Sequence, residues 1–188
     1  MKKIILIILL GIVHCFNAQR TISLAQAYEY SKSPNGIPED VSYAKDINGD
    51  LNRFVGTWKG IYNGKTYEFN FVKKLNDDKY EVRWDFLIGR LKITDRNGKI
   101  IYNTFNEDDD KTYFSGWTFQ RRTYMMDFIA NTECNDSGVV FMEVYSKQPN
   151  KMRLYMDRDK IWYNPERCPN YETYEVTIPN EEIILTKQ

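Results

Sequence analysis

The chain has 188 residues, of which 42% are hydrophobic and 15% aromatic, enough to bury one sizeable core in a single domain. Its 26 basic residues balance its 26 acidic residues, and this balance argues against nucleic-acid binding through bulk positive charge. We therefore predict no nucleic-acid partner, and we find no internal repeat that would indicate a different architecture.

The first 19 residues have the pattern of a secretory signal peptide. Lys2 and Lys3 precede an apolar run over residues 4–13, and a small-residue end follows at Ala18. The run is too short for a transmembrane helix. We predict a signal peptide over residues 1–19 and an exported protein, located in the periplasm, outside the cell or at the outer membrane, with no transmembrane segment in the mature chain.

Cys15 follows the apolar run and offers an alternative, a lipid-anchored cysteine. His14 stands where the bacterial lipidation signal requires a small residue, so simple secretion is favoured. Cleavage also removes His14, the only histidine of the chain. A mature chain without imidazole excludes Ser-His-Asp and Cys-His nucleophiles, histidine bases and ordinary catalytic zinc sites. We predict no metal and no cofactor.

Residues 20–52 form a polar approach segment, with a short helix capped by Ser23. Residues 46–50, Asp-Ile-Asn-Gly-Asp, resemble the start of a calcium loop. Leu51 occupies the position of the turn glycine, however, and Thr57 that of the bidentate glutamate. We therefore interpret this segment as a turn or short helix that leads into the first strand of a barrel domain over residues 53–188.

An aromatic hairpin over residues 54–71 opens this domain. Asn63-Gly64 is the turn pair of a two-residue type I′ hairpin. The period of two places two sets of residues on one face of the hairpin. The sets are Phe54, Gly56, Trp58, Gly60 and Tyr62 in the first strand, and Tyr67, Phe69 and Phe71 in the second.

Strand patterns continue at short, even spacing, and helical periodicity is absent. In the strand over residues 79–94, alternation places Trp84, Phe86 and Ile88 on one face, and Gly89 suggests a bend. The fold class is mainly β, an antiparallel meander that closes into an eight-stranded barrel because closure removes exposed edges. A two-sheet sandwich is the alternative. Further strands are predicted at 99–104, 112–119, 123–130, 139–146 and 152–157, and an edge strand at 182–186.

Two cysteines remain after the signal peptide, Cys134 and Cys168. An even pair in an exported protein predicts one disulfide, which would contribute about 3–4 kcal/mol in the chain-entropy model. Two separate thiols are the alternative, because spacing does not show that the side chains meet.

Gly56-Thr57-Trp58 on the first barrel strand resembles the Gly-x-Trp signature of lipocalins and other calycins. This resemblance implies that Gly56 and Trp58 belong to the closure of the barrel base and that Arg153 stacks across Trp58. The whole chain also resembles a family of small exported bacterial proteins of unknown function, found chiefly in the Bacteroidota. The matching segments are Val-Gly-Thr-Trp-Lys-Gly at 55–60, Ile-Gly-Arg at 88–90, Pro-Asn-Lys-Met at 149–152 and the two cysteines.

The aromatic strands favour a binding protein over an enzyme. In the first hypothesis, the barrel interior holds a small apolar ligand, although rings that merely fill the core would give the same pattern. A second hypothesis is a protein-interaction module with an envelope partner, which would use rim loops and a C-terminal flap around residues 163–174. We predict a monomer. The candidate ligand-binding residues are Tyr67, Phe69, Trp84, Phe86, Trp117 and Phe128.

The acidic run at residues 107–110 supplies candidates for carboxylate catalysis or calcium binding. Neighbouring acids on one loop more often form a solvated turn, and paired catalytic carboxylates must flank the scissile bond. We therefore predict that the protein is not an enzyme.

Overall fold

One sheet of 11 strands dominates the computed structural model, which describes residues 19–77, 81–158 and 165–188. The predicted signal peptide, Cys15 and His14 lie outside these described residues. Helix α1 spans Leu24–Ser31, and short 3-10 helices span Asp50–Arg53 and Tyr171–Thr173. The strands are β1 (Arg20–Ser23), β2 (Val41–Lys45), β3 (Gly56–Tyr62), β4 (Lys65–Asp77), β5 (Arg83–Thr94), β6 (Ile100–Asn103), β7 (Phe114–Gln120), β8 (Thr123–Asn131), β9 (Asp136–Tyr145), β10 (Gln148–Arg158) and β11 (Ile183–Lys187).

Eight strands close into an antiparallel barrel in the order β5-β4-β3-β11-β10-β9-β8-β7, and a β5–β7 contact completes the circle. The predicted mainly β fold and eight-stranded barrel are confirmed. The opening hairpin is also confirmed, since β3 pairs with β4 from Gly56↔Phe71 to Tyr62↔Lys65. Asn63 and Gly64 have φ values of 47° and 73°, as a type I′ turn requires.

Two strands have different roles from those predicted. The C-terminal strand β11 is not an edge strand, because it pairs with β10 on one side and with β3 on the other. Conversely, β6 lies off the barrel path and pairs with β5. The β10–β11 pair follows the order of the strands along the chain, whereas the β11–β3 pair joins strands that are far apart in sequence.

The N-terminal segment joins the same sheet. Strands β1 and β2 pair in parallel, and β2 continues onto β5 at Tyr43↔Arg83. Between them, the predicted helix starts at the Ser23 cap, where a capping box with Gln26 is complete. The turn or short helix expected near residues 46–50 is confirmed by the 3-10 helix Asp50–Arg53, and the buried Asp46 carboxylate pairs with Lys73 at 2.7 Å.

Aromatic rings fill the barrel interior. The Phe69 and Phe71 rings stack with centroids 6.0 Å apart, and Phe114 contacts Phe128 at 5.0 Å. Trp58 is fully buried, and its Nε1 donates a hydrogen bond to the Phe54 carbonyl at 2.7 Å. These contacts agree with the core-filling interpretation of the inward rings.

The predicted inward face of β5 is wrong. The residues of β5 that point into the core are Leu87, Leu91 and Ile93, whereas Trp84 and Phe86 lie on the opposite face and are only partly buried. The outer face of this strand is apolar only in its first half, where Trp84 and Phe86 lie, and it carries Arg90 and Lys92 in its second half. The prediction followed the first half, whereas the alternation of the second half marks Leu91 and Ile93 as inward.

Gly89 belongs to the inward face of β5. It pairs with Phe71 of β4 within an uninterrupted register. A Cβ at this position would collide with the ring of Phe114. The glycine therefore provides space for close packing of an aromatic core residue.

Arg153 does not stack across Trp58. Its guanidinium lies on the outer side of β10 and pairs with Glu143 at 2.6 Å, because Met152 and Leu154 take the inward positions of that strand. The cation over the Trp58 ring is Lys187, the last residue of β11, at 5.3 Å from the ring centroid. The assignment from order along the chain was wrong because β11 separates β10 from β3.

Candidate functional site: an aromatic groove outside the barrel

A groove of about 740 Å³ lies on the outer surface, between α1 and the junction of β5 with β7. Its origin is the weak closure of the barrel at this point. Strands β5 and β7 share the single bridge Ile88↔Ser115. Helix α1 contributes Ala27 and Ser31 to one wall, so the groove has strand and helix sides.

Aromatic side chains from both strands line this groove. Trp84 and Phe86 come from the outer face of β5, and Trp117 comes from β7. The Trp117 side chain is 46% exposed. An exposed indole beside two half-buried rings forms an apolar surface of the kind that ligands cover.

A β-bulge at Trp117 changes the alternation of β7, and Trp117 lies on the outer face with Ser115. Gly116 pairs with Met126 and Thr118 pairs with Met125, which leaves Trp117 as the extra residue of β7. The bulge also explains how Phe114 and Phe119, an odd number of residues apart, are both buried. That odd spacing is the sequence signal that the predicted alternation over residues 112–119 overlooked.

Tyr113 stands at the edge of the groove in a left-handed backbone conformation, with φ of 48°. Its side chain is 63% exposed. The backbone conformation is uncommon for a bulky residue and is found mostly at turns and functional sites. The Tyr113 carbonyl accepts a hydrogen bond from the Ile129 N–H at 3.0 Å, so the strained residue still continues the β7–β8 pairing while its ring projects to solvent.

Charged groups surround the aromatic surface. Asp109 accepts hydrogen bonds from Arg90 at 2.7 Å and from Lys74 at 3.1 Å. These two cations, Arg90 first, hold the pKa of Asp109 below its ordinary value. The charged residues that line the groove are Lys74, Asp77, Asp109, Asp110 and Asp127.

The sequence as a whole matches one protein family. A model of a family of unknown function covers residues 1–188. The chain belongs to the DUF6705 family. Comparison with curated proteins and with solved structures found no match. No activity is assigned to this family, so the groove and its surroundings are the evidence for a function.

The structure divides the six predicted ligand-binding residues of this DUF6705 protein into two groups. Tyr67, Phe69 and Phe128 are buried in the barrel interior, as predicted. The other three residues are Trp84, Phe86 and Trp117. The prediction for them was wrong, because they line the outer groove and not the barrel interior. The sequence analysis missed Tyr113, Asp77 and Asp127, whereas Asp109 and Asp110 belong to the acidic run that it named for other roles.

A second cavity of about 370 Å³ lies at one mouth of the barrel. Tyr67 and Tyr102 line it, together with residues 174–177 of the C-terminal segment. Burial raises the pKa of both phenols to about 12, so they are neutral at physiological pH. Here the C-terminal segment covers the mouth. Residues 163 and 164 of the predicted flap lie outside the described residues.

Two connections hold this segment to the barrel. The predicted disulfide is confirmed, since Cys134 is bonded to Cys168 with Cα atoms 4.9 Å apart. The second is the buried carboxylate of Asp136, which accepts hydrogen bonds from the Tyr174 hydroxyl at 2.9 Å and the Thr177 N–H at 2.8 Å. Asp136 also pairs with Arg158.

The acidic run at residues 107–110 forms a surface turn with one local ion pair, besides the long-range pairs of Asp109 with Arg90 and Lys74. Asp108 pairs with Lys111 at 2.8 Å, and both side chains are largely exposed. Within the described ranges, no three His, Cys, Asp or Glu side chains are grouped as a metal site requires. The same part of the chain contains no helix long and apolar enough to cross a membrane.

Proposed function

We propose that this protein is an exported, non-catalytic binding protein whose ligand has an apolar body and occupies the outer aromatic groove. The observation that carries the proposal is the convergence of Trp84, Phe86 and the exposed Trp117 around a volume of about 740 Å³. That volume lies within the range of about 300–1,000 Å³ of small-molecule sites. The sequence analysis placed an apolar ligand in the barrel interior, and we now place it in the outer groove.

Packing supports the outer groove over the interior. The inward rings contact one another, as Phe114 does with Phe71 at 5.8 Å and Phe128 does with Tyr102 at 6.2 Å. A ligand there would have to displace packed core side chains, because close-packed protein interiors leave few voids larger than a water molecule. The groove requires no such displacement.

Charge supports a non-catalytic role. Asp109, the groove carboxylate with two cationic partners, has a lowered pKa, whereas a general acid needs a raised one. The only histidine of the sequence is His14, within the predicted signal peptide.

Export is supported by the signal pattern of residues 1–19 and by the disulfide, since disulfides persist in oxidising compartments. The intact mass of the protein isolated from its own host tests this part. Cleavage before Arg20 gives the mass of the mature chain, and a lipid on Cys15 adds its own mass. A full-length mass in the cytoplasmic fraction would contradict export.

Binding of the neutral fluorophore N-phenylnaphthylamine tests the groove. We expect its emission to rise with the wild-type protein and its affinity to fall about tenfold in Trp117→Ala, because removal of a large aromatic contact typically costs more than 1 kcal/mol. Ile61→Ala is the matched control, since Ile61 is 73% exposed on β3 and does not line the groove. Equal affinities for all three proteins, or no binding, would reject the groove.

The alternative, an envelope or extracellular interaction protein, has a narrower basis. The C-terminal segment carries Tyr171 and Val176 with 38% and 39% of their surfaces exposed. Exposed aromatic and aliphatic side chains near a barrel mouth favour contact with a protein partner. Crosslinking in the native host tests this alternative. If the Tyr171→Ser and Val176→Ser variants recover as much partner as the wild-type protein does, this surface is not the interaction site.

A further inference from the structure

The cavity of about 370 Å³ at the barrel mouth, hereafter the mouth cavity, contains two hydroxyls without a protein partner. They belong to Tyr67, which is only 3% exposed, and to Tyr102, which is half-buried. In the described parts of the chain, neither hydroxyl donates or accepts a hydrogen bond. Polar groups in such positions nearly always have a partner. Two exceptions in one cavity point to a partner from outside the chain.

Both hydroxyls are accessible from the mouth cavity. Over the same described residues, the one fully enclosed side-chain polar atom without a partner is Arg53 Nε, so neither phenol oxygen is sealed inside the protein. The rings themselves belong to the core, since Tyr67 stacks on Phe69 at 6.4 Å and Tyr102 packs edge-on against Phe128 at 6.2 Å. A ligand that contacts the hydroxyls therefore displaces no core ring.

The rest of the wall carries no net charge. Its charged residues are Lys65 and Glu175, which form an ion pair with each other. The Tyr174 hydroxyl donates to the buried Asp136 carboxylate at 2.9 Å, and Arg158 balances that carboxylate. The wall therefore selects neither a cation nor an anion. Its aliphatic surface comes from Ile93, Ile101, Ala130 and Val176.

The free groups of the wall define the ligand that fits it. We propose that the mouth cavity is a second binding site, for a small neutral molecule with an apolar body and an acceptor oxygen, such as a ketone or an ester. The Tyr67 and Tyr102 hydroxyls donate hydrogen bonds to this ligand, and the aliphatic side chains cover its body. The mouth cavity shares no lining residue with the outer groove, so this inference goes beyond the proposed function and does not depend on it.

Two probes of equal shape test the hydrogen bonds: acetophenone, and α-methylstyrene, in which a CH₂ group replaces the carbonyl oxygen. Their binding is followed by NMR titration of the amide signals of Ala130 and Asn131, which line the mouth cavity. We expect Tyr67→Phe and Tyr102→Phe each to weaken acetophenone about threefold to tenfold, because each removes one hydrogen-bond donor. The affinity for α-methylstyrene should stay the same.

Tyr155→Phe is the matched control. Tyr155 stacks on Phe141 at 5.1 Å and lines neither the mouth cavity nor the groove, so its hydroxyl should affect neither probe. The free energy of unfolding at neutral pH is measured for all three variants. Tyr67→Phe should retain nearly the wild-type value, since its hydroxyl has no protein partner to lose. A clear loss of stability would identify a structural hydroxyl and overturn the proposal.

The remaining outcomes are equally decisive. Unchanged acetophenone affinity in both tyrosine variants, or equal losses for both probes, would overturn the hydrogen-bonding role of the phenols. Absence of any shift at Ala130 and Asn131 would mean that the cavity holds water only. Tighter binding of benzoate than of acetophenone would overturn the neutral class. None of these results affects the groove, because N-phenylnaphthylamine binding and Trp117→Ala test that site separately.

Discussion

The ammonium of Lys187 lies over the indole of Trp58, and the two residues are also direct partners across the β3–β11 ladder. Gly56 makes this contact sterically feasible, because a Cβ there would lie 3.2 Å from the Lys187 Cε, tighter than ordinary contact. The Gly-Thr-Trp motif and the end of the chain thus form one structural unit. The last strand is essential to the barrel and also covers its central tryptophan.

Deletion of residues 183–188 is predicted to abolish cooperative unfolding. Without β11, both β3 and β10 lose a hydrogen-bonded neighbour, and the barrel opens. Urea denaturation followed by circular dichroism measures this effect. Lys187→Ala removes only the cation–π contact and should cost about 0.5–1 kcal/mol. A deletion variant that unfolds like the wild type would show that β11 is dispensable.

Asp136→Asn is predicted to destabilise the protein by about 3–5 kcal/mol, because Arg158 would retain a buried charge without its partner. The Tyr174 and Thr177 bonds to this carboxylate would weaken as well. Chemical denaturation gives the free energy of unfolding. The control is Asp108→Asn, whose exposed pair with Lys111 should contribute less than about 1 kcal/mol. Similar losses in the two variants would contradict this role for Asp136.

Alkaline pH is predicted to destabilise the fold through four buried or partly buried tyrosines. Burial raises the folded-state pKa of Tyr43, Tyr67, Tyr102 and Tyr174 from 10.0 to about 12. The folded state therefore holds protons that the unfolded state releases. Their contribution is complete below about pH 10 and is lost as the pH rises toward about 12.

The free energy of unfolding, measured from neutral pH to pH 11, checks this prediction. Tyr67→Phe removes one of the four titrating phenols and should reduce the slope above pH 10, with a smaller effect at neutral pH. The ultraviolet absorbance of tyrosinate gives the titration directly. Constant stability up to pH 11, or an unchanged slope in Tyr67→Phe, would show that these phenols do not control it.

The sequence correctly predicted those features that depend on residues close together in the chain. Asn63-Gly64 has the left-handed propensity that its turn requires, and the period of two in β4 places Tyr67 and Phe69 inward. Chemistry of the compartment predicted the disulfide between Cys134 and Cys168. Each of these needs only a few neighbouring residues or a count of cysteines.

The groove escaped prediction because its causes are long-range. Trp84 and Phe86 make the first half of the outer face of β5 apolar, and their joint surface with Trp117 exists only because β7 lies beside β5. Trp117 and Phe119 are two residues apart, so alternation alone would place them on one face, and the bulge that separates their faces is not marked in the sequence. Arg153 was assigned to Trp58 from order along the chain, which does not reveal that Ile184 of β11 pairs with Arg153.

Tyr113→Asn is predicted to stabilise the fold while it weakens binding. Asparagine adopts the left-handed conformation more readily than tyrosine, so relief at φ of 48° should add about 0.5–1 kcal/mol to the free energy of unfolding. Since the Tyr113 ring is 63% exposed, little packing is lost. Loss of an aromatic group from the groove edge should lower N-phenylnaphthylamine affinity severalfold, about threefold to fivefold.

The matched control for Tyr113 is Tyr113→Phe, which keeps both the ring and the unfavourable backbone conformation. It should change neither the free energy of unfolding nor probe affinity, because the exposed hydroxyl contributes little to either. Urea denaturation and fluorescence titration of the same samples measure both quantities. A loss of stability together with a loss of binding in Tyr113→Asn would mean that the tyrosine supports the fold, whereas opposite changes identify a residue kept under backbone strain for the ligand.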